Sequence, residues 1–241
     1  MLGSATGSFV NLCIDRMPAG QSIIAPSSHC DACGKRLGIY DLVPLFNYLW
    51  LRGRCRYCRA SIPLRVPIVE LVLGLLFAFL YWRFGLGLEL AISLVYASLL
   101  ILIFVIDLEH QLVLDKVVYP GMAFALAFSF FWPDLGPVDS IWGGAIGLGA
   151  MGLPFLIYRQ GMGFGDVKLG ALVGLMTGYP LVIIALLLAV IVGGILAALI
   201  LAFGIKKRKD PIPFAPFLAT AAMITLLWGK DIHQWYTNWW L

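Results

Sequence analysis

Between residues 181 and 203 the chain runs without a single polar side chain. An α-helix needs about 20 apolar residues to cross about 30 Å of hydrocarbon, so a run of this kind reads as a membrane span. Further apolar windows occupy residues 2–14, 67–82, 90–106, 117–132, 141–158, 167–177 and 214–227. Turn and breaker strings separate them, among them Phe84-Gly-Leu-Gly87, Pro133-Asp-Leu-Gly-Pro137 and Gly178-Tyr-Pro180. The expected fold is therefore all-α and polytopic, with about eight transmembrane helices. With hydrophobic residues at 61% and charged residues at only 12%, the chain could not cover a water-soluble surface. The first window is short and no signal-peptide pattern precedes it, so that helix is expected to be shortened, tilted or packed inside the bundle.

Lysine and arginine set the orientation, because positive charge is retained on the cytoplasmic side. Alternating the loops across eight spans places all of the 17 basic residues on one face except Arg83 and Lys230. Both chain ends then lie outside. The net charge of +4 and the Arg52-Gly-Arg-Cys-Arg56 stretch also suit nucleic acid, but the membrane rule accounts for the same residues without such a ligand. The lipid bilayer is the expected partner, and nucleic acid is not.

One polar module interrupts the membrane pattern. Residues 15–66 are rich in Pro, Gly and Arg and carry Cys30-Asp-Ala-Cys33 and Cys55-Arg-Tyr-Cys58, separated by 21 residues. Each C-x2-C pair forms one knuckle of a tetrahedral four-thiolate site, for which Zn2+ is the commonest occupant. Lys35, Arg54, Arg56 and Arg59 offset the thiolate charge. A disulfide is disfavoured on a reducing cytoplasmic face, and a loop of this size supplies no βαβ scaffold for a redox CxxC. The expected organisation is a first helix at 1–14, a zinc-binding domain at 15–66 and a membrane domain at 67–241.

Two carboxylates stand at membrane edges, where desolvation is costly and an ionisable residue implies function. Asp107 closes the window at 90–106 and opens Asp107-Leu-Glu-His-Gln-Leu-Val-Leu-Asp115; Asp166 closes Gly161-Met-Gly-Phe-Gly-Asp166. Either could merely terminate a helix. Glycines such as Gly163 and Gly165 let a backbone approach closely, as a peptide-binding strip beside a carboxylate requires. Gly163, Gly165, Glu70, Glu109, Asp115 and Lys168 are the candidate substrate contacts. The acidic ones among them are possible partners for basic substrate residues, or for local bases such as Lys116 and Arg65. Asp115 is the alternative to Asp107 in the catalytic pair.

The chain resembles the bacterial prepilin peptidases, which belong to the GxGD aspartic proteases of membranes. The resemblance is carried by Gly7-Ser-Phe-Val-Asn-Leu-Cys-Ile-Asp-Arg-Met-Pro18, the cysteine pairs, Pro67-Ile-Val-Glu70, Ile106-Asp-Leu-Glu-His-Gln-Leu-Val-Leu-Asp115, Gly161-Met-Gly-Phe-Gly-Asp-Val-Lys-Leu169 and Ile212-Pro-Phe-Ala-Pro-Phe217. Ala215 stands where family members usually have Gly, and Val113-Leu-Asp115 where Leu-Pro-Asp is usual. The likeness implies an enzyme of the bacterial inner membrane whose active site faces the cytoplasm. It would remove the basic leader from type IV prepilins or type II secretion pseudopilins, with Asp107 and Asp166 as the catalytic pair. It also implies N-methylation of the new N-terminus with S-adenosylmethionine, for which the sequence itself shows no fingerprint. Two carboxylates close together cannot both ionise easily; one would activate water while the other, protonated, polarises the scissile carbonyl. A transporter or a scaffold of a pilus apparatus would also explain membrane carboxylates or a zinc module, and leader cleavage distinguishes the three.

Overall fold

The computed structural model describes residues 1–132, 135–157, 163–204 and 212–240. Pro133 and Asp134 of the breaker string, the motif residues Gly161 and Met162, and the basic residues Arg159, Lys206, Lys207, Arg208 and Lys209 lie outside them. The described chain is helical: α1 (Leu2–Arg16), α2 (Phe46–Trp50), α3 (Arg65–Phe84), α4 (Leu88–His110), α5 (Asp115–Ser129), α6 (Pro137–Ile157), α7 (Phe164–Thr177), α8 (Leu181–Ala202) and α9 (Ala215–Trp240). A 3-10 turn, Ile39–Leu42, precedes α2, and two isolated β-bridges lie in the polar loop.

Each apolar window falls on a helix, but among the described residues only α3, α4, α6 and α8 are both long and apolar enough to span a membrane. At 1.5 Å per residue, the 14 or 15 residues of α1, α5 and α7 reach only about 22 Å. The helices stop where the sequence supplies stops. Gly85 after α3 and Gly178 after α7 sit at φ 65° and 68°, a conformation that ends a helix at little cost for glycine alone.

The chain divides into two compact units, Met1–Leu102 and Ile103–Leu241. In the first, α1 lies against α3. A Cβ on Gly7 would stand 2.7 Å from the Glu70 Cα, so glycine is what permits this approach. In the second unit α7 packs against α5, α6, α8 and α9. Gly143 and Gly147 of α6 face Gly174 and Gly170 of α7 so closely that any Cβ would collide with the opposite backbone. The Ser140 hydroxyl donates to the Leu175 carbonyl across the same seam at 2.7 Å, satisfying a buried polar group. From Val167 to Thr177 nearly every α7 side chain is buried, so the head of α7 is fixed by its neighbours.

Candidate active site and metal centre

Asp107 sits in the last turn of α4, 5% exposed. Its Oδ2 accepts the backbone N–H of Ala215 at 3.1 Å. Ala215 opens α9, and a first-turn amide has no partner inside its own helix. The carboxylate thus caps α9 from another element, and the positive end of that helix faces a negative charge.

Asp166 lies in the first turn of α7, partly exposed, with its own backbone N–H bonded to the Gly163 carbonyl at 3.1 Å. It stands within Coulombic reach of Asp107. The helices α4 and α7 therefore bring together the two carboxylates that the sequence singles out. Gly165 is pressed on Val113: a Cβ there would stand 2.7 Å from the valine Cβ, so the glycine strip contacts the Val113-Leu-Asp115 segment.

The candidate substrate contacts divide. Asp115, at the start of α5, accepts Lys168 Nζ of α7 at 2.7 Å; neither Lys116 nor Arg65 is its partner. Lys168 also lies over the rings of Phe164 at 4.9 Å and Tyr119 at 5.3 Å. Glu109 is exposed next to His110. Gly163 is exposed at the head of α7. Glu70 belongs to the first unit, is 5% exposed, and accepts the Leu45 N–H at 2.8 Å. Arg65 pairs with Asp15.

The polar loop folds as two matching knuckles. Cys30 N–H bonds Lys35 O at 2.9 Å and Gly34 N–H bonds Cys30 O at 2.7 Å; Cys55 N–H bonds Ala60 O at 2.8 Å and Arg59 N–H bonds Cys55 O at 3.0 Å. Gly34 and Arg59, each four residues after the first cysteine of its pair, both take positive φ, 67° and 59°. The Sγ atoms of Cys30, Cys33, Cys55 and Cys58 all lie within 4.8 Å of one another, with Cys30 and Cys58 at 3.7 Å. Tetrahedral Zn–S bonds of about 2.3 Å place sulfurs about 3.8 Å apart, so the cluster has the size of such a site. The amides of Cys58 and Tyr57 draw the Cys55 thiol down to about 7. The Ala60 amide also draws Cys58 down, but burial and proton sharing with Cys33, Cys55 and Cys30 hold it up at about 11. Four thiols packed this closely release their protons together only to a cation.

Beside this cluster the first unit encloses a cavity of about 400 Å³. Glu70, Asp41, Asp31 and Asp15 line it together with Ser8, Asn47, Tyr48, Arg56, Arg65 and apolar side chains of the loop. Asp15 is paired with Arg65, and Asp41 with Arg56 at 2.8 Å, whereas Glu70 and Asp31 face no cation among the described residues.

Sequence reasoning missed the Ala215 amide, the Leu45 amide on Glu70 and this cavity. The motif containing Ala215 was visible, but a backbone donor carries no signal of its own.

A family model of the bacterial peptidase A24 N-terminal domain matches residues 1–84, and that of the type IV leader peptidase family matches residues 94–198. Prepilin leader peptidase/N-methyltransferases of Stutzerimonas stutzeri and Pseudomonas aeruginosa are each 31% identical over 264 residues, covering 98% of this chain and 91% of theirs. That of Bacillus subtilis is 33% identical over 241 residues, covering 98% and 95%. No solved structure matches the chain.

Proposed function

The chain belongs to the type IV leader peptidase family, and from that premise we propose that Asp107 and Asp166 are the catalytic pair of a membrane aspartic endopeptidase. Its activities are the removal of prepilin leader peptides and N-methylation. The observation that carries the assignment is the meeting of Asp107, at the end of α4, with Asp166, at the head of α7. Held in reach of each other, the two carboxylates share one proton: the ionised member takes a proton from water as it attacks the scissile carbonyl, and the protonated member donates to the carbonyl oxygen. The Ala215 amide fixes one oxygen of Asp107 and leaves the other for this chemistry. Conversion of a purified prepilin to its shortened form by the purified protein, lost when either aspartate is changed, tests the assignment and separates it from a transporter or scaffold.

Pseudopilins belong to the same substrate reading, because a basic leader followed by a hydrophobic helix is the shared chemistry. Such a substrate is cut where its helix leaves the bilayer on the cytoplasmic side. The basic bias of the loops supports that face for Asp107 and Asp166, and the eight windows support eight helices within the membrane even though α1, α5 and α7 are short.

The four cysteines fit Zn2+ by number, distance and softness, and they would hold it as a structural ion. S-adenosylmethionine, when bound, supplies an electrophilic methyl group on a sulfonium cation. The cavity fits a ligand of that size and charge: its volume lies within the range of small-molecule sites, and Glu70 and Asp31 leave its wall with acid in excess. Glu70, steadied by the Leu45 N–H, would face the cation, while Tyr48 and the loop's apolar side chains would cover the rest.

A further inference from the structure

Of the arginines of the second knuckle, Arg56 borders the cavity just described, whereas Arg52, Arg54 and Arg59 do not, and leader cleavage uses none of them. Arg52, Arg54, Arg56 and Arg59, with Trp50, Leu51 and Cys55, enclose a separate hollow of about 450 Å³. Arg56 is paired with Asp41; among the described residues, Arg52, Arg54 and Arg59 have no carboxylate partner. A basic leader would be repelled here, so the occupant is anionic.

The surroundings say which anion. Phe46, Leu49 and Trp50 of α2 are 61%, 75% and 74% exposed, and the Phe46 and Trp50 rings stack at 5.8 Å, so this helix turns an aromatic face outwards immediately before the arginines. An aromatic and basic pair of this kind belongs at the boundary of acyl chains and headgroups. The register of the loop sets its depth. Ile62 N–H bonds Gly53 O at 2.8 Å and Arg54 bridges Ser61, which fixes the arginines beside residues 61–62, while the apolar helix α3 starts at Arg65. The cluster is therefore tied within a few residues of a membrane entry point, and Leu64 there is itself 68% exposed.

We infer that α2 and the arginines of the second knuckle form a docking surface for anionic phospholipid, the guanidinium groups holding headgroup phosphate and Phe46, Leu49 and Trp50 entering the acyl boundary. Guanidinium suits phosphate because its fork of donors binds two oxygens at once. The surface would hold the metal loop flat on the bilayer.

The test uses the full chain in nanodiscs of phosphatidylcholine, with and without phosphatidylglycerol, and reads hydrogen exchange at residues 46–59. Exchange is expected to be at least about fivefold slower with the anionic lipid, the effect of a single arginine at an anionic surface. The variants R52Q and L49S/W50S, which leave the arginines flanking the cysteines in place, should each lose part of that protection, and R52K should keep it. Zinc content and leader cleavage, measured in parallel, show that each variant is folded, and because they read other sites, a failure of the peptidase reading would be seen separately. Equal exchange in the two nanodiscs would overturn the inference. So would equal protection by inorganic phosphate added to phosphatidylcholine nanodiscs, which would make the hollow a site for free anion.

Discussion

The Asp107 carboxylate accepts the backbone N–H of Ala215 at 3.1 Å, a bond across 108 residues that joins the last turn of α4 to the first turn of α9. Only the N–H of residue 215 is used, so the side chain can change while the bond persists. Ala215→Gly should retain activity, whereas Ala215→Pro, which suits the first turn of a helix but has no N–H, should lower kcat about tenfold with KM nearly unchanged. Steady-state kinetics on a prepilin substrate check this. A Pro variant with unchanged kcat would remove Ala215 from the positioning of Asp107.

Asp107→Asn and Asp166→Asn should each lower leader cleavage by at least about 100-fold, because each removes one half of the shared-proton pair. Methylation of a pilin peptide supplied already cleaved should survive both, which shows that the variants still insert and fold. Asp115→Asn serves as the comparison. Its carboxylate is engaged by Lys168, so cleavage should fall far less; the reverse order would move the catalytic role to Asp115.

The parts of this fold that were legible are those whose signal is local. Apolar windows announce helices because hydrophobic length is written in consecutive residues, and the cysteine spacing announces a metal site because each knuckle is closed by bonds within six residues. Asp107 and Asp166 could be picked out as carboxylates where apolar runs stop. What pairs with what was not legible. Asp115 chose Lys168, 53 residues away, over its neighbour Lys116, and Arg65 chose Asp15, because packing of α5 on α7 and of α1 on α3 sets those distances. Glu70 looked available in sequence but is buried by the loop that returns Leu45 to it. Apolar windows also say little about where a helix ends: the window at 214–227 stops short of Gly229, Lys230 and Asp231, whereas α9 runs on to Trp240.

One zinc per chain is expected by elemental analysis, and Cys58→Ser should lower it sharply. The loop from Cys30 to Cys58 has little apolar packing of its own, so removal of the ion by a chelator should expose it to proteolysis. Leader cleavage should suffer less than it does in either aspartate variant, since the catalytic carboxylates belong to the other compact unit.

Glu70→Gln keeps an acceptor for the Leu45 N–H and removes only the charge. If Glu70 faces the sulfonium, the affinity for S-adenosylmethionine, measured by equilibrium dialysis, should fall about tenfold, while S-adenosylhomocysteine, which is uncharged at sulfur, should bind as before. If Glu70 instead holds the leader, affinity for the methyl donor stays constant and KM for prepilin rises.

Glu109 and Asp115 are acidic residues close in sequence to Asp107 that a basic leader could reach. Glu109 is exposed beside His110, whereas Asp115 already holds Lys168 at 2.7 Å, so a leader lysine gains there only what it offers beyond that bond. Exposed ion pairs contribute about 1 kcal/mol or less, and salt weakens them further. Glu109→Gln should therefore raise KM for prepilin a few-fold with kcat unchanged, and Asp115→Asn should raise it as well, through the released positive charge of Lys168 rather than through a lost contact with the leader. The double variant should show a KM that varies less with salt than that of the unsubstituted protein. Titrating KM against sodium chloride for the four proteins checks the argument. Matching salt responses throughout would leave the leader held by hydrophobic contacts alone.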